Sequence, residues 1–241
     1  MSAAAPGGVE RPQARYRRDF RRRIVEFKPE RVLDVGCGDG GLLRFLVDNG
    51  IDCAGVDVNA AEVEGARAEG LDLRCAAAEA LPFDDASFDL LVSEFSAHHF
   101  GDLKQAMSEA ARVARRAVFT LDQHYSPALP GHSLAEAFDR ACKIIDRANG
   151  EIHHDAYSIS EFAEALAETF DEIEIVRLLE GRKADPALAR KWIDEAVAGA
   201  ADQEMARRLI APLAARITNE GLMEDGALII CARRLAAKGA S

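Results

Sequence analysis

The chain has 241 residues, 41 acidic against 30 basic, and a net charge of −11. That balance argues against a nucleic-acid polyanion as the main substrate, because such binding relies on basic surface. Hydrophobic content of 49% with 29% charged residues is ordinary for a soluble globular enzyme with one substantial core. Five scattered cysteines (Cys37, Cys53, Cys75, Cys142 and Cys231) form no Cys-x-x-Cys pair and read as reduced thiols, which implies a cytoplasmic protein. No apolar stretch reaches membrane-spanning length, and Met1 to Val9 lacks a signal-peptide core.

Residues 1–12 are small, polar and glycine-rich, which predicts disorder. Arg15 to Phe27 then sets Tyr16, Phe20, Ile24 and Phe27 at helical spacing, with six arginines on the other faces. This helix, within 13–28, is either docked by its apolar stripe or a lid over a pocket that meets an anionic group. Val32 to Val35 is a short apolar run broken only by Asp34, as expected of a buried strand. Gly36, Gly38, Gly40 and Gly41 permit a tight turn, and Leu42, Leu43, Phe45, Leu46 and Val47 resume with helical spacing. Such a strand, turn and helix are expected to aim free backbone N–H groups at one spot.

Ile51 to Val56 reads as the next strand. Asn59 to Glu69 reads as a helix capped by Asn59, and Leu71 to Cys75 as a third strand. A turn-rich connection precedes the apolar strand Phe88 to Val92. A helix over Asp102 to Ala114 and a fifth strand, Ala117 to Leu121, follow. From Asp122 the chain is expected to leave the core, with a loop at Tyr125 to Gly131 and a helix at Ser133 to Asn149. Ser160 can cap the helix after the next loop, with glutamates close behind it. Ile173 to Leu178 alternates as strand six, and Gly226 to Ala232 is the last strand. Between them Asp185 to Asn219 inserts one or two helices, with Pro212 in the second. Strands alternating with helices imply an α/β fold with a parallel sheet and right-handed crossovers. The expected organisation is one domain, 13–235, with helical insertions at 122–157 and 185–219 and a frayed tail at 236–241.

Gly36-x-Gly38-x-x-Gly41 satisfies a dinucleotide pattern, which alone is weak. Asp34 breaks the tie. A carboxylate two residues before the first glycine repels a pyrophosphate and suits a cationic amine. Asp57, after the second strand, can accept hydrogen bonds from two ribose hydroxyls. The pocket therefore selects a nucleoside with a positive, phosphate-free end, a description that S-adenosylmethionine fits.

These residues give the chain a family likeness. Val32-Leu-Asp-Val-Gly-Cys-Gly-Asp-Gly40, Gly55-Val-Asp-Val58, Ala78-Glu-Ala-Leu-Pro-Phe-Asp-Asp-Ala-Ser-Phe-Asp-Leu-Leu-Val-Ser93 and His98-His99-Phe100 stand in order. With them the sequence resembles the class I S-adenosylmethionine-dependent methyltransferases, in particular their small-molecule, quinone-biosynthesis-like branch (type 11). The likeness covers roughly residues 30 to 122. It implies a Rossmann-like, seven-stranded, mostly parallel sheet with helices on both faces. The helical insertions after strand five and between strands six and seven depart from the family, whose last connection is usually short.

The resemblance also implies site residues. Asp34 would hold the donor's amino group, Gly36, Cys37 and Gly38 would line its methionine end, and Asp57 would bind the ribose. Val58, Ala78, Glu79 and Ser93 complete the expected donor contacts. The acid that usually meets the adenine amino group is replaced by Ala77. His98 and His99 after strand four, or His124 after strand five, could take a proton from the acceptor, since imidazole titrates near neutrality. Tyr16 and Tyr125 are candidate acceptor contacts. His153-His154-Asp155 invites a metal reading, but adjacent histidines point apart on most backbones and no further ligand spacing is visible, so no metal is expected.

The function this implies is methyl transfer from S-adenosylmethionine to a small organic acceptor by in-line displacement, releasing S-adenosylhomocysteine, with no nucleic-acid partner. Three readings compete. They are an RNA or protein methyltransferase, a nicotinamide-dependent dehydrogenase and a non-catalytic S-adenosylmethionine-binding protein. The sequence leaves the acceptor, its reacting atom and the oligomeric state open.

Overall fold

The computed structural model describes residues 12–179 and 181–235. The expected disorder of 1–12 and the tail at 236–241 therefore lie outside the described residues, save that Pro12 opens the first helix. Proline suits that place, where its missing N–H has no helical partner to lose.

Helix α1 (Pro12–Phe27) precedes β1 (Arg31–Val35), α2 (Gly41–Asp48), β2 (Asp52–Asp57), α3 (Ala60–Ala68) and β3 (Leu73–Cys75). Then come β4 (Phe88–Glu94), a 3-10 turn (Ala97–His99), α4 (Leu103–Val113) and β5 (Ala114–His124). The rest is α5 (His132–Ala148), α6 (Ile159–Leu166), β6 (Glu172–Leu178), α7 (Pro186–Ala198), α8 (Gln203–Glu220) and β7 (Gly226–Arg233). The seven strands form one sheet in the order β3-β2-β1-β4-β5-β7-β6. β1 pairs in parallel with both β2 and β4, β2 with β3, and β4 with β5. The fold is the expected Rossmann-like α/β sheet.

The chain divides into two compact units. Among the described residues one, the sheet unit, comprises 16–122, 157–176 and 228–235; the other, the helical unit, comprises 12–15, 123–156, 177–179 and 181–227. The sheet unit's core interleaves Leu33, Val35, Val56, Leu91 and Val118 with Met107, Phe162 and Leu166 from its helices. The helical unit has its own core of Leu134, Phe138, Ile145, Ile210 and Ile217, with Trp192 packed against it. The expected insertions thus supply most of a separately packed body.

Two local expectations change. β5 runs on past Leu121 to His124, because Asp122 is buried at 2% exposure and has a partner in the structure. α6 is capped by Ser158 rather than Ser160. Glu161 is the third residue after Ser158, so its side chain returns to the Ser158 N–H while the Ser158 hydroxyl accepts from Glu161 N–H. Asn59 caps α3 as expected, accepting from Ala61 N–H at 3.1 Å.

Candidate active site

The sheet unit's strand order reverses direction at β1, whose neighbours are β2 on one side and β4 on the other. Loops leaving the carboxyl ends of β1 and β4 diverge there, and in open α/β sheets ligands bind in that crevice.

The glycine turn is built for it. Gly36 has φ +74°, and a Cβ there would lie 2.4 Å from Ser96 Cβ, so the backbone can approach only without a side chain. Ser96 is itself fixed. Its hydroxyl bonds the Val35 carbonyl at 2.9 Å and shares a 2.8 Å hydrogen bond with the buried Ser93. Three of the expected free N–H groups are engaged within the chain. Gly36 and Cys37 both donate to Val56 O, at 2.8 and 3.1 Å, and Gly38 donates to Asp57 Oδ2 at 2.8 Å. The turn thus folds back onto the end of β2.

Asp57 is doubly anchored, because its Oδ1 also accepts the Asn59 N–H at 2.8 Å. Asp34 is 2% exposed, and its Oδ1 is buried with no hydrogen-bond partner. Burial pushes its carboxyl well above the usual range; Glu94 and Asp57 add to the rise, and Arg21 opposes it. The Cys37 thiol is likewise pushed up, by burial first and then by Asp34 and Asp57, and stays protonated. Val58 beside Asp57 is 69% exposed. Ala78 is buried, while Glu79 accepts the Asp102 N–H at 2.9 Å and so fixes the start of α4. Asp34, Gly36, Cys37, Gly38, Asp57 and Ser93 are thus brought together around one turn, and Glu79 is engaged next to it.

Past β4, His98 and Asp122 form a buried pair. Asp122 accepts the His98 backbone N–H at 3.1 Å, and its Oδ1 lies 2.6 Å from His98 Nδ1. The His99 ring tilts against that of His98 at 4.4 Å and is exposed. Tyr16 is 1% exposed, part of the buried stripe of α1 with Phe20 and Ile24. His124 and Tyr125 belong to the helical unit. Burial lowers the His124 pKa, helped by Arg177 and His132, and burial raises the Tyr125 phenol well above its usual value. In the same unit His153 Nδ1 lies 2.7 Å from Asp146 Oδ2, and Arg140 holds Asp155 at 3.0 Å, so the His-His-Asp stretch is a clasped loop. Sequence reasoning missed Asp122 and placed Glu94 beside the reacting atoms without a role. Each is one acid in an otherwise strand-like run, and only tertiary pairing singles it out.

A family model described as a methyltransferase domain matches residues 33–119. Over that stretch the chain is similar to methyltransferase domains. The methyltransferase YcgJ of Bacillus subtilis is 33% identical over 140 residues, 55% of this chain and 53% of that one. Its crystal structure superposes with a TM-score of 0.62 at 22% identity, covering 91% of this chain and all 100% of YcgJ. A 24-methylenesterol C-methyltransferase of Oryza sativa is 34% identical over 48% of this chain and 34% of its own. A malonyl-[acyl-carrier protein] O-methyltransferase of Pseudescherichia vulneris is 35% identical over 39% of this chain and 38% of its own. The chain spans about half or less of the length of these curated relatives. The matched residues run from within β1 to β5, which is the stretch holding the glycine turn, Asp57, Ser93 and the His98 loop. No helix among the described residues is long and apolar enough to cross a membrane.

Proposed function

We propose that the chain transfers a methyl group from S-adenosylmethionine to a small organic acceptor by in-line displacement. One observation carries this reading: the buried, unpartnered Asp34 Oδ1 beside a glycine turn that folds back onto Asp57. An orphaned carboxylate oxygen of this kind costs free energy unless a cation meets it, and it has no use for a pyrophosphate. Asp57 fits the same ligand. A carboxylate has about four acceptor sites, and two are used on Gly38 and Asn59, which leaves two for ribose hydroxyls.

When bound, the donor supplies an electrophilic methyl group on a positively charged sulfur. The chain's own part is alignment, which can be worth roughly 7 to 11 kcal/mol. Asp34 holds the amino group, Asp57 the ribose, and the Gly36 to Gly38 backbone the methionine end. Ala78 and Val58 flank the base. His98 is the proposed proton acceptor. Its Nδ1 lies 2.6 Å from Asp122 Oδ1, a contact that orients the ring and stabilises the charge it gains on taking a proton. His99 and His124 are the rivals for that role, and Tyr16 and Tyr125 are proposed acceptor contacts. The relatives' names include a carbon and an oxygen acceptor, so the reading commits to no acceptor atom. Five free thiols suit the reducing cytoplasm, where we place the reaction.

The test is incubation with methyl-labelled S-adenosylmethionine and separated metabolite, RNA and protein fractions. Label is expected in the metabolite fraction. Label in RNA or protein overturns the small-acceptor reading, and tight donor binding without transfer to any fraction identifies a binding protein instead.

A further inference from the structure

The sheet unit has a second cleft, apart from the glycine turn. Its volume is about 500 Å³, and Arg31, Arg74 and Ser87 line it together with the Leu81 to Asp84 connection. Arg31 opens β1 and Ser87 directly precedes β4, so the cleft sits toward the amino ends of these strands. The glycine turn and Asp57 stand at carboxyl ends. A row of stacked groups holds the two guanidiniums. Arg74 lies over the Phe83 ring at 4.2 Å, Phe83 meets Phe88 edge-on at 4.9 Å, and Arg31 lies over Phe88 at 4.7 Å. One Arg74 N–H donates to Pro82 O at 2.6 Å, and Arg31 Nε lies 3.1 Å from Asp52 Oδ2. Among the described residues neither guanidinium has a further hydrogen bond or ion pair. The Ser87 hydroxyl oxygen is buried and has no hydrogen-bond partner there.

We infer that this cleft binds a small organic oxyanion, a phosphate ester or a carboxylate, through Arg74 and Arg31. A guanidinium stacked on a ring keeps its N–H edge free, and that planar fork matches the oxygens of either group. The stacking also removes much of the side chain's freedom beforehand, which lowers the cost of binding. Ser87 adds a buried hydroxyl whose lack of a partner costs free energy until a polar ligand atom meets it. The charged lining is two arginines against Asp84, while Asp85 is turned to Arg112 at 2.8 Å. In a chain of net charge −11 that local balance runs against the overall field and selects an anion. Asp84 can accept from a hydroxyl or amino group on the ligand, and Leu81 and Pro82 offer its carbon skeleton an apolar wall. The volume falls within the range of small-molecule sites. This cleft is independent of the donor reading and stands or falls without it.

Calorimetry of the full chain with inorganic phosphate and with succinate tests this. Because both arginines stay open to water, saturable binding of at least one probe is expected with a Kd of about 1 mM. The probe that binds more tightly distinguishes a phosphate ester from a carboxylate as the ligand. Arg74→Met should weaken that probe about tenfold or more. Arg31→Met should weaken it less, since Asp52 already offsets part of that charge. Arg74→Lys keeps the charge and loses the planar fork, so its loss should be intermediate. Ser87→Ala removes one hydroxyl and should weaken the probe about fivefold, and it serves where the arginine variants fail to fold. No saturable heat with either probe overturns the proposal. So does binding that these substitutions leave unchanged, which would mark an adventitious ion only.

Discussion

The two units hold their shape by different means. In the sheet unit single positions are decisive: one glycine at φ +74°, one carboxylate tied to two N–H groups, one buried acid with an unpartnered oxygen. In the helical unit the core is Leu134, Phe138, Ile210 and their neighbours on amphipathic helices, a pattern that many sequences satisfy equally well. Substitutions should therefore separate the two, with donor binding falling with the first unit's special positions and surviving core damage in the second.

The sharpest trial is Gly36→Val. It places a branched side chain where even a Cβ meets Ser96 at 2.4 Å, on a backbone that L-residues avoid. A loss of about 4 kcal/mol in urea unfolding is expected, with donor binding abolished. The counterpart is Ile210→Ala in α8, a residue 1% exposed. It should cost about 3 kcal/mol of stability while donor affinity, measured in folded protein, stays within about twofold. A large drop in affinity here would erase the contrast.

Asp57→Ala removes a carboxylate proposed to meet two ribose hydroxyls, and calorimetry should show about a hundredfold weaker donor binding. A pH titration sharpens the contrast from the helical side. Burial, opposed by Gln13 and aided by Asp139 and Glu224, lifts the Asp225 carboxyl to about 6. The folded state therefore keeps this proton after the unfolded chain has lost its own near pH ~4. This group's contribution to stability is present below that pH, falls as pH rises through about 6, and is level above. Asp225→Asn should remove the fall, so the stability gain of the variant over its parent widens across that window to about 3 kcal/mol. A gain that does not change with pH would contradict it. The smallest expected effect is Ser158→Ala, which takes away the α6 cap and about 1 kcal/mol in thermal unfolding, with donor binding untouched.

The same contrast explains what was legible in the sequence. β1, the glycine turn, Asp57 and the Asn59 cap could be read because each answers a local backbone demand. The chemistry was harder wherever a side chain's meaning depends on a distant partner. Glu79 stands in an adenine-pocket motif yet fixes the start of α4 through Asp102. Asp122 resembled the start of a loop until its pairing with His98 kept β5 extended. The turn's N–H groups were expected to face a ligand, and the return of the turn onto Val56 and Asp57, invisible in spacing alone, uses those of Gly36, Cys37 and Gly38 internally. At α6, a finer reading of register would have chosen correctly, since only Ser158 stands three residues before Glu161.

The double tie at Asp57 has a dynamic corollary. The amide protons of Gly38 and Asn59 lie far apart in the chain yet end on one carboxylate. Any opening that frees one should free the other, so deuterium should enter both sites at a shared rate. A ligand clasped by that carboxylate would slow the two together.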